Sequence, residues 1–233
     1  MKIVVSKDGP YVVSGGVPLV LQKIVLDEEG YSWDWLEVKT YETGPSYKLC
    51  RCGRSENKPF CDDTHLKIGF DGTETATRQP VKALAKKYEG PTLSLADARI
   101  LCASARFCHP GGKIWSLVGQ SAPEARELAI REAAHCPSGR LVLFDKEAGV
   151  ELEGVLEPSI CVVEDPPLGC SGPLWVRGGI RIESEDGKPY EQRNRVTLCR
   201  CGASRNKPFC NGGHAVIRFR DGLVDLTPSP NAK

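Results

Sequence analysis

The chain has 233 residues, with 31 Lys plus Arg against 30 Asp plus Glu and a net charge of +1, so no field of one sign favours nucleic acid or a membrane surface as a partner. No stretch approaches the ~18 apolar residues of a membrane span, and Met1 to Asp8, which already contains Lys7 and Asp8, has no apolar run of signal-peptide length. The eleven cysteines are therefore expected to be reduced thiols in a cytoplasmic setting, where closely spaced Cys marks metal binding or catalysis rather than cross-linking.

The first predicted element is a β-strand at Pro10 to Leu19 (PYVVSGGVPL), interrupted by a Gly-Gly kink. The stretch around Asp27 to Trp35 then reads as an extended hairpin or loop. Leu49 to Cys61 and His65 spell Cys-x-Cys-x8-Cys-x3-His, with Cys50, Cys52, Cys61 and His65 as candidate ligands. Gly53 stands where a close turn needs a backbone without a Cβ, and Asn57-Lys58-Pro59 is turn chemistry that doubles the loop back. Asp62 is the predicted N-cap of a short helix carrying His65. The ligands would then meet at a helix N-terminus, whose partial positive charge favours an anionic metal–thiolate site.

A middle segment follows from about Lys82 to Glu164. It opens on Cys102-x2-Ala105-x2-Cys108. Ser121-Ala-Pro-Glu124 is a capping-box pattern that starts a helix running to about Ala134, and Cys136-Pro137-Ser-Gly139 turns into a strand at Leu141 to Phe144. His109 and His135 stand beside these cysteines, so Cys102, Cys108 and Cys136 form a candidate third site. Cys161 and Cys170 have no comparable spacing and read as packing residues.

Beyond it the beginning repeats. Pro173 to Ile182 (PLWVRGGIRI) lines up with the first strand, and Leu198 to Cys210 carries the same residue as Leu49 to Cys61 at eleven of thirteen positions. Cys199, Cys201, Cys210 and His214 are the second ligand set, with Gly202, Asn206-Lys207-Pro208 and Asn211 at the turn and cap positions. The plan is module, insert, module: 1–81, 82–164 and 165–233. From its strand to its first ligand the N-terminal copy is some fourteen residues longer, the surplus being the hairpin.

Three thiolates and one imidazole complete a four-coordinate shell, so these residues alone leave zinc open as the metal of a structural interaction scaffold. Against zinc, Cys-x-Cys is tighter than the Cys-x2–4-Cys of most zinc ribbons. Arg51, Lys58, Arg200 and Lys207 flank the ligands. They read either as charges that moderate the site or meet an acidic partner, or as solvated loop residues. Phe60 and Phe209 read as packing under the loop. A site closed by four protein ligands, with no Ser/His/Asp set, P-loop or dinucleotide glycine pattern elsewhere, points away from an enzyme.

The run Leu-Cys-Arg-Cys-Gly-x-Ser-x-Asn-Lys-Pro-Phe-Cys followed by Asp/Asn-x-x-His resembles the CDGSH iron–sulfur domain of the mitoNEET family. The family pattern C-x-C-x2-S/T-x3-P-x-C-D-G-S/A/T-H is met at Cys50, Cys52, Ser55, Pro59, Cys61, Asp62, Thr64 and His65, then at Cys199, Cys201, Ser204, Pro208, Cys210, Gly212 and His214. Asp63, Asn211 and Gly213 depart from it. The resemblance implies a [2Fe–2S] cluster in each module, with Cys50 and Cys52 on one iron and Cys61 and His65 on the other, and likewise Cys199 and Cys201, then Cys210 and His214. Family members are commonly homodimers with a β-sandwich-like cap and a strand exchanged between protomers, which implies that the Pro10 and Pro173 strands contribute here to a shared cap. Both halves lie here on one chain, which implies an α+β, mostly β fold in which the modules form an intramolecular pseudo-dimer, a monomer in solution.

The implied activity is redox-active and pH-sensitive electron transfer or cluster transfer, to a redox partner or an apo-protein acceptor, with the single histidine tuning potential and cluster retention. The middle segment resembles a divergent single-cluster ferredoxin, a small α/β insert, in which Ala105 replaces one cluster cysteine. Three cysteines of that family can hold [3Fe–4S], a possible third cluster. The missing ligand favours a relic fold with free thiols.

Overall fold

The architecture follows from two Gly-Gly pairs that carry the chain from one sheet to another. In the computed structural model residues 1–227 are described. The N-terminal part runs β1 (Lys2–Val5), β2 (Tyr11–Ser14), β3 (Leu19–Leu26), β4 (Ser32–Tyr41), β5 (Ser46–Leu49), a one-turn helix α1 (Thr64–Lys67) and α2 (Val81–Leu84). The central part contains β6 (Lys86–Glu89), β7 (Leu93–Asp97), α3 (Ile114–Val118), α4 (Pro123–His135), β8 (Leu141–Asp145) and β9 (Val150–Glu151). The C-terminal part follows as β10 (Ser159–Asp165), β11 (Cys170–Arg177), β12 (Arg181–Ser184), β13 (Arg195–Leu198) and α5 (Gly213–Val216).

Two sheets make the cap, in the orders β12-β1-β2-β5 and β13-β11-β10-β3-β4. Gly15 and Gly16 lie at φ 94° and 64°, and Gly178 and Gly179 at 73° and 68°, a left-handed run that side chains with a Cβ rarely follow. The predicted strand Pro10 to Leu19 is thus two strands that part at the glycines. After the first pair β3 leaves β2 and joins β10 in parallel, Leu19 opposite Ile160; after the second, β12 leaves β11 and joins β1, Lys2 opposite Arg181. Each half lends its post-glycine strand to the other, so the halves form a strand-exchanged pseudo-dimer within one chain. Alternate residues of both sheets fill the space between them, including Ile3, Val5, Tyr11 and Val13 from one and Leu19, Ile160, Leu174, Val176 and Val196 from the other. The fold is mostly β, as the repeat implied.

The central part forms its own sheet, β6-β7-β8-β9, covered by α3 and α4 over Leu93, Leu95, Ile114, Leu117, Ala129, Leu141 and Leu143. Because β10 pairs inside the cap, the C-terminal half of the cap begins within the stretch 82–164 set aside from sequence as the middle segment. Helix α4 differs from the capping-box expectation. Ala122, not Ser121, is its N-cap, and no side chain caps it; Pro123 at the first helical position presets the backbone instead.

The surplus residues of the N-terminal copy form the β3–β4 hairpin, turned at Asp27, whose N–H donates to the Tyr31 carbonyl at 3.0 Å. Its function is to clamp the central part. Trp35 stacks at 4.6 Å on Phe107, beside Cys108, and at 4.9 Å on Trp175 of β11. Ile24 and Ala105 complete that contact, and Asp34 lies 3.6 Å from His135. Among the described residues no helix is long and apolar enough to cross a membrane.

Removing the clamp should loosen the central part without unfolding the cap. Trp35→Ala is expected to cost about 3 kcal/mol. In limited proteolysis, cleavage should appear first around residues 104–113 while the cap fragments persist.

Candidate functional site

Each ligand loop is a short backbone lattice closed by motif side chains. In the first copy the Cys50 N–H donates to the Pro59 carbonyl at 2.9 Å and the Cys61 N–H to Lys48 at 3.0 Å. Ser55 explains its place in the motif: its hydroxyl donates to the Phe60 carbonyl at 2.6 Å and accepts the Asn57 N–H at 3.0 Å. The second copy repeats the pattern through Ser204, Phe209 and Asn206 at 2.6 and 3.0 Å. The loops form because these polar groups satisfy one another where the chain turns tightly and partly leaves water.

The structure brings the eight predicted ligands together as four pairs. Cys50 and Cys52 sulfurs lie 3.7 Å apart, and Cys199 and Cys201 sulfurs 3.8 Å apart. Cys61 Sγ is 3.4 Å from His65 Nδ1, and Cys210 Sγ is 3.4 Å from His214 Nδ1. A tetrahedral ion with metal–sulfur bonds of about 2.3 Å and a metal–nitrogen bond of about 2.0 Å sets its ligands about 3.8 Å apart for two sulfurs and about 3.5 Å for sulfur and nitrogen. Each pair is therefore spaced to share one metal atom. The pairs do not close on a common ion: among the described residues, no three of the four ligand atoms in either copy lie within 4.8 Å of one another. The residues fit a group with two metal atoms, one per pair. They do not fit a single zinc ion held by all four.

The sulfurs also receive backbone N–H groups, from Arg54 to Cys52, Asp63 to Cys61 and Gly212 to Cys210, each at 3.4 Å. These bonds take the part assigned from sequence to a helix N-terminus. α1 and α5 are four residues long, and their N-caps are Asp63 and Gly212, at φ 63° and 81°, one residue later than predicted. Asp62 and Asn211 still accept the N–H of the first helical residue, at 3.1 and 3.2 Å. A hydrogen bond from the neighbouring thiol pulls Cys50 and Cys199 down to about 6, against the opposing effect of burial. Burial, with Arg200 and Arg106 adding, pushes His214 down to about 4, so its ring stays neutral and able to donate a lone pair.

Arg51 and Arg200 do not sit in solvent. Arg51 is buried and donates to the carbonyls of Gly9, Gly72 and Ser6 at 2.8 to 2.9 Å. Arg200 is buried too, on the carbonyls of Gly172 and Val163 and against the carboxylates of Glu164 and Asp221. Both are staples of the Cys-x-Cys turn rather than partner contacts or solvated loop charges. Lys58 folds back on its own loop, onto the Ser55 carbonyl at 2.5 Å. Phe209 packs in the cap core against Tyr190, and Phe60 against Tyr41 and Tyr47.

The two loops touch back to back. A Cβ on Gly53 would stand 2.8 Å from the Cys201 carbonyl oxygen, and one on Gly202 would stand 2.7 Å from that of Cys52. Tyr11 of the N-terminal half reaches across to donate to the carbonyls of Cys199 and Pro208, at 2.7 and 3.0 Å. Sequence reasoning missed Tyr11, although its counterpart in the repeat, Leu174, cannot make such a bond. The copies also differ in cover. Cys61 is partly exposed beside the exposed Asp63, whose carboxylate is 3.8 Å from the Cys61 sulfur, whereas Cys210 and His214 are each 2% exposed.

That cover comes from the central part. A Cβ on Gly212 would meet Ser104 Oγ at 2.4 Å and the Cys102 carbonyl at 3.2 Å. Cys102, Cys108 and Cys136 line one small cavity with Ala105 and Arg140, and Ser104 and Arg106 carry the loop at φ 56° and 63°. Among the described residues no three donors there lie within 4.8 Å of one another. His109 lines the neighbouring cleft. His135 instead stacks on Phe107 at 5.6 Å. Cys161 and Cys170 are fully buried among cap residues, and burial pushes both up to about 12.

The family described as iron-binding zinc finger CDGSH type matches residues 8–66 and 171–215, each region holding one complete ligand set. The chain carries two CDGSH-type regions. Between them, residues 88–146 match the family described as divergent 4Fe-4S mono-cluster, which spans Cys102, Cys108 and Cys136. The CDGSH-type regions and the 4Fe-4S-type region between them together support iron–sulfur binding by this chain. No curated protein and no solved structure matched.

The close contact between the CDGSH loops gives a direct test of their interdependence. Gly53→Ala adds a methyl group at φ 76° against the backbone of the opposite loop. It should destabilise the protein by about 2 kcal/mol in urea unfolding and lower bound iron at both ligand sets. Loss confined to the first set would show that the loops act separately.

Proposed function

We propose that the protein is an electron carrier that holds one [2Fe–2S] cluster in each CDGSH region, and that it is not an enzyme. The observation that carries this reading is the pairing of the ligands: two thiolates at one end and a thiolate with an imidazole at the other, each pair spaced for one iron. Cys50, Cys52, Cys61 and His65 would hold the first cluster, and Cys199, Cys201, Cys210 and His214 the second. Such a cluster supplies reversible uptake of a single electron. The chain's own residues do the rest. Ser55 and Ser204 fix the loops, buried arginines brace the Cys-x-Cys turns, and glycines let the two sites approach through backbone alone.

Transfer of an intact cluster to an apo-protein is a second reading, favoured by the exposure of Cys61 and Asp63 at the first site. A third cluster of the [3Fe–4S] type in the central part is supported by the convergence of Cys102, Cys108 and Cys136 on one cavity without a fourth cysteine. Retention would depend on pH, because protonation of a ligating imidazole nitrogen removes it as a donor. Burial disfavours the charged form of the free His214 ring, which favours the neutral donor at the second site.

Iron, sulfide and zinc analysis of protein purified without air tests the reading. About four irons per chain with equal sulfide, and a red-brown colour that bleaches on reduction, are expected for two clusters, and about seven irons with the central site filled. Colourless protein with stoichiometric zinc would overturn the proposal. Replacing His65 by Cys adds one negative charge to the first cluster. Its midpoint potential should fall, and its visible absorption should decay more slowly at pH 5, while the second cluster keeps its potential.

A further inference from the structure

The cleft between the central part and the second CDGSH region is lined by Lys86, Arg99, Arg106, Lys113 and Arg140, with Asp97 as its single carboxylate and about 1560 Å³ of open space. A chain with a net charge of only +1 thus gathers five cations at one mouth. Two of them are committed within the fold. Arg106 grips Asp165 through two bonds of 2.7 and 2.8 Å, and Arg140 holds Asp97 at 3.0 Å. Lys86, Arg99 and Lys113 are exposed, come from three different segments, and have no carboxylate partner among the described residues.

What lies at the bottom of this mouth gives it a use. Cys102 and Cys108 line the cleft, and so does Ala215, the residue after His214. A body seated there would rest against the central cysteine loop and the second CDGSH site together. Leu168, 39% exposed, supplies an apolar contact at the same wall.

We propose that this cleft docks the acidic face of a small electron-transfer protein, and that electrons enter or leave the chain there. The inference rests on the electron-carrier reading and adds the chemistry and place of the partner. Dispersed, mobile cations suit a protein surface better than a small anion. The two fixed guanidinium groups are already paired, so no preorganised cradle remains for a phosphate or carboxylate, whereas exposed Lys and Arg set up a field that steers an acidic face and tolerates its side chains. In the step itself one electron leaves the partner's reduced centre, which is oxidised, and one cluster of this chain is reduced. No bond or proton is exchanged.

The test uses the full chain with its iron in place and, as probe, a small acidic [2Fe–2S] ferredoxin reduced beforehand. Stopped-flow absorbance reads the rate of electron transfer at low and high ionic strength. The triple variant Lys86→Glu, Arg99→Glu, Lys113→Glu is compared with Lys39→Glu, Lys188→Glu, which reverses exposed charges elsewhere. The cleft variant should react about 10-fold or more slowly at low salt, the difference shrinking at high salt, while the control pair keeps the rate of the unchanged protein. Dithionite should bleach all forms alike. Equal rates for the cleft variant, or an equal loss in the control pair, overturn the docking site while leaving the carrier reading intact. Saturable binding of ATP at the cleft, with no effect of the reversals on the ferredoxin rate, overturns it in favour of a small-anion site. A protein that dithionite does not bleach overturns the carrier reading and this proposal with it.

Discussion

The exchange of one strand between halves is the constraint on which everything else rests. Without β3 beside β10 and β12 beside β1, neither cap sheet has its full set of strands, and the core between them loses residues from both faces. The glycine pairs make the crossing possible, because a run of left-handed backbone turns the chain out of its own sheet at little steric cost. The ligand loops hang from the ends of the strands this crossing aligns. β5 leads into the first loop and β13 into the second. Their back-to-back contact is therefore a property of the cap.

On this frame two equal motifs become unequal sites. The first loop's buried arginine is satisfied by carbonyls alone, while the second's faces Glu164 and Asp221. The first site lies open beside Asp63, whereas Ser104 and Cys102 cover the second. A chain of ion pairs adds to the difference. Arg106, between two central cysteines, holds Asp165, whose neighbour Glu164 holds Arg200, between two CDGSH cysteines. Fusing two halves on one chain with an insert let each site take a different environment, which a homodimer of identical chains cannot do.

Much of this was legible in the residues and some was not. The eight candidate ligands stood out by repeated spacing, and Gly53 and Gly202 by standing where a turn needs no Cβ. The sequence showed that glycine was required there, but not that the obstacle was the opposite copy's carbonyl. Strand exchange came only with the family resemblance and not from the residues, because no local pattern tells which distant strand Leu19 or Arg181 will meet. Buried Arg51 misled for a physical reason: a charge on a polar loop reads as solvated unless the carbonyls that gather around it are known. The N-cap moved by one residue because Asp63 accepts a left-handed backbone, leaving Asp62 free to cap from outside.

The pairing of Lys2 with Arg181 also sets a schedule. A polypeptide is made from its N-terminus, and the first strand's neighbour appears only after the whole N-terminal half and the central part. Until then β1 and β3 are open edges, and the hydroxyl of Tyr11 has no Cys199 carbonyl to meet. The first ligand set is thus complete in sequence long before it is complete in shape. The frame of the first candidate site therefore draws on strands and a carbonyl that lie far behind it in the chain.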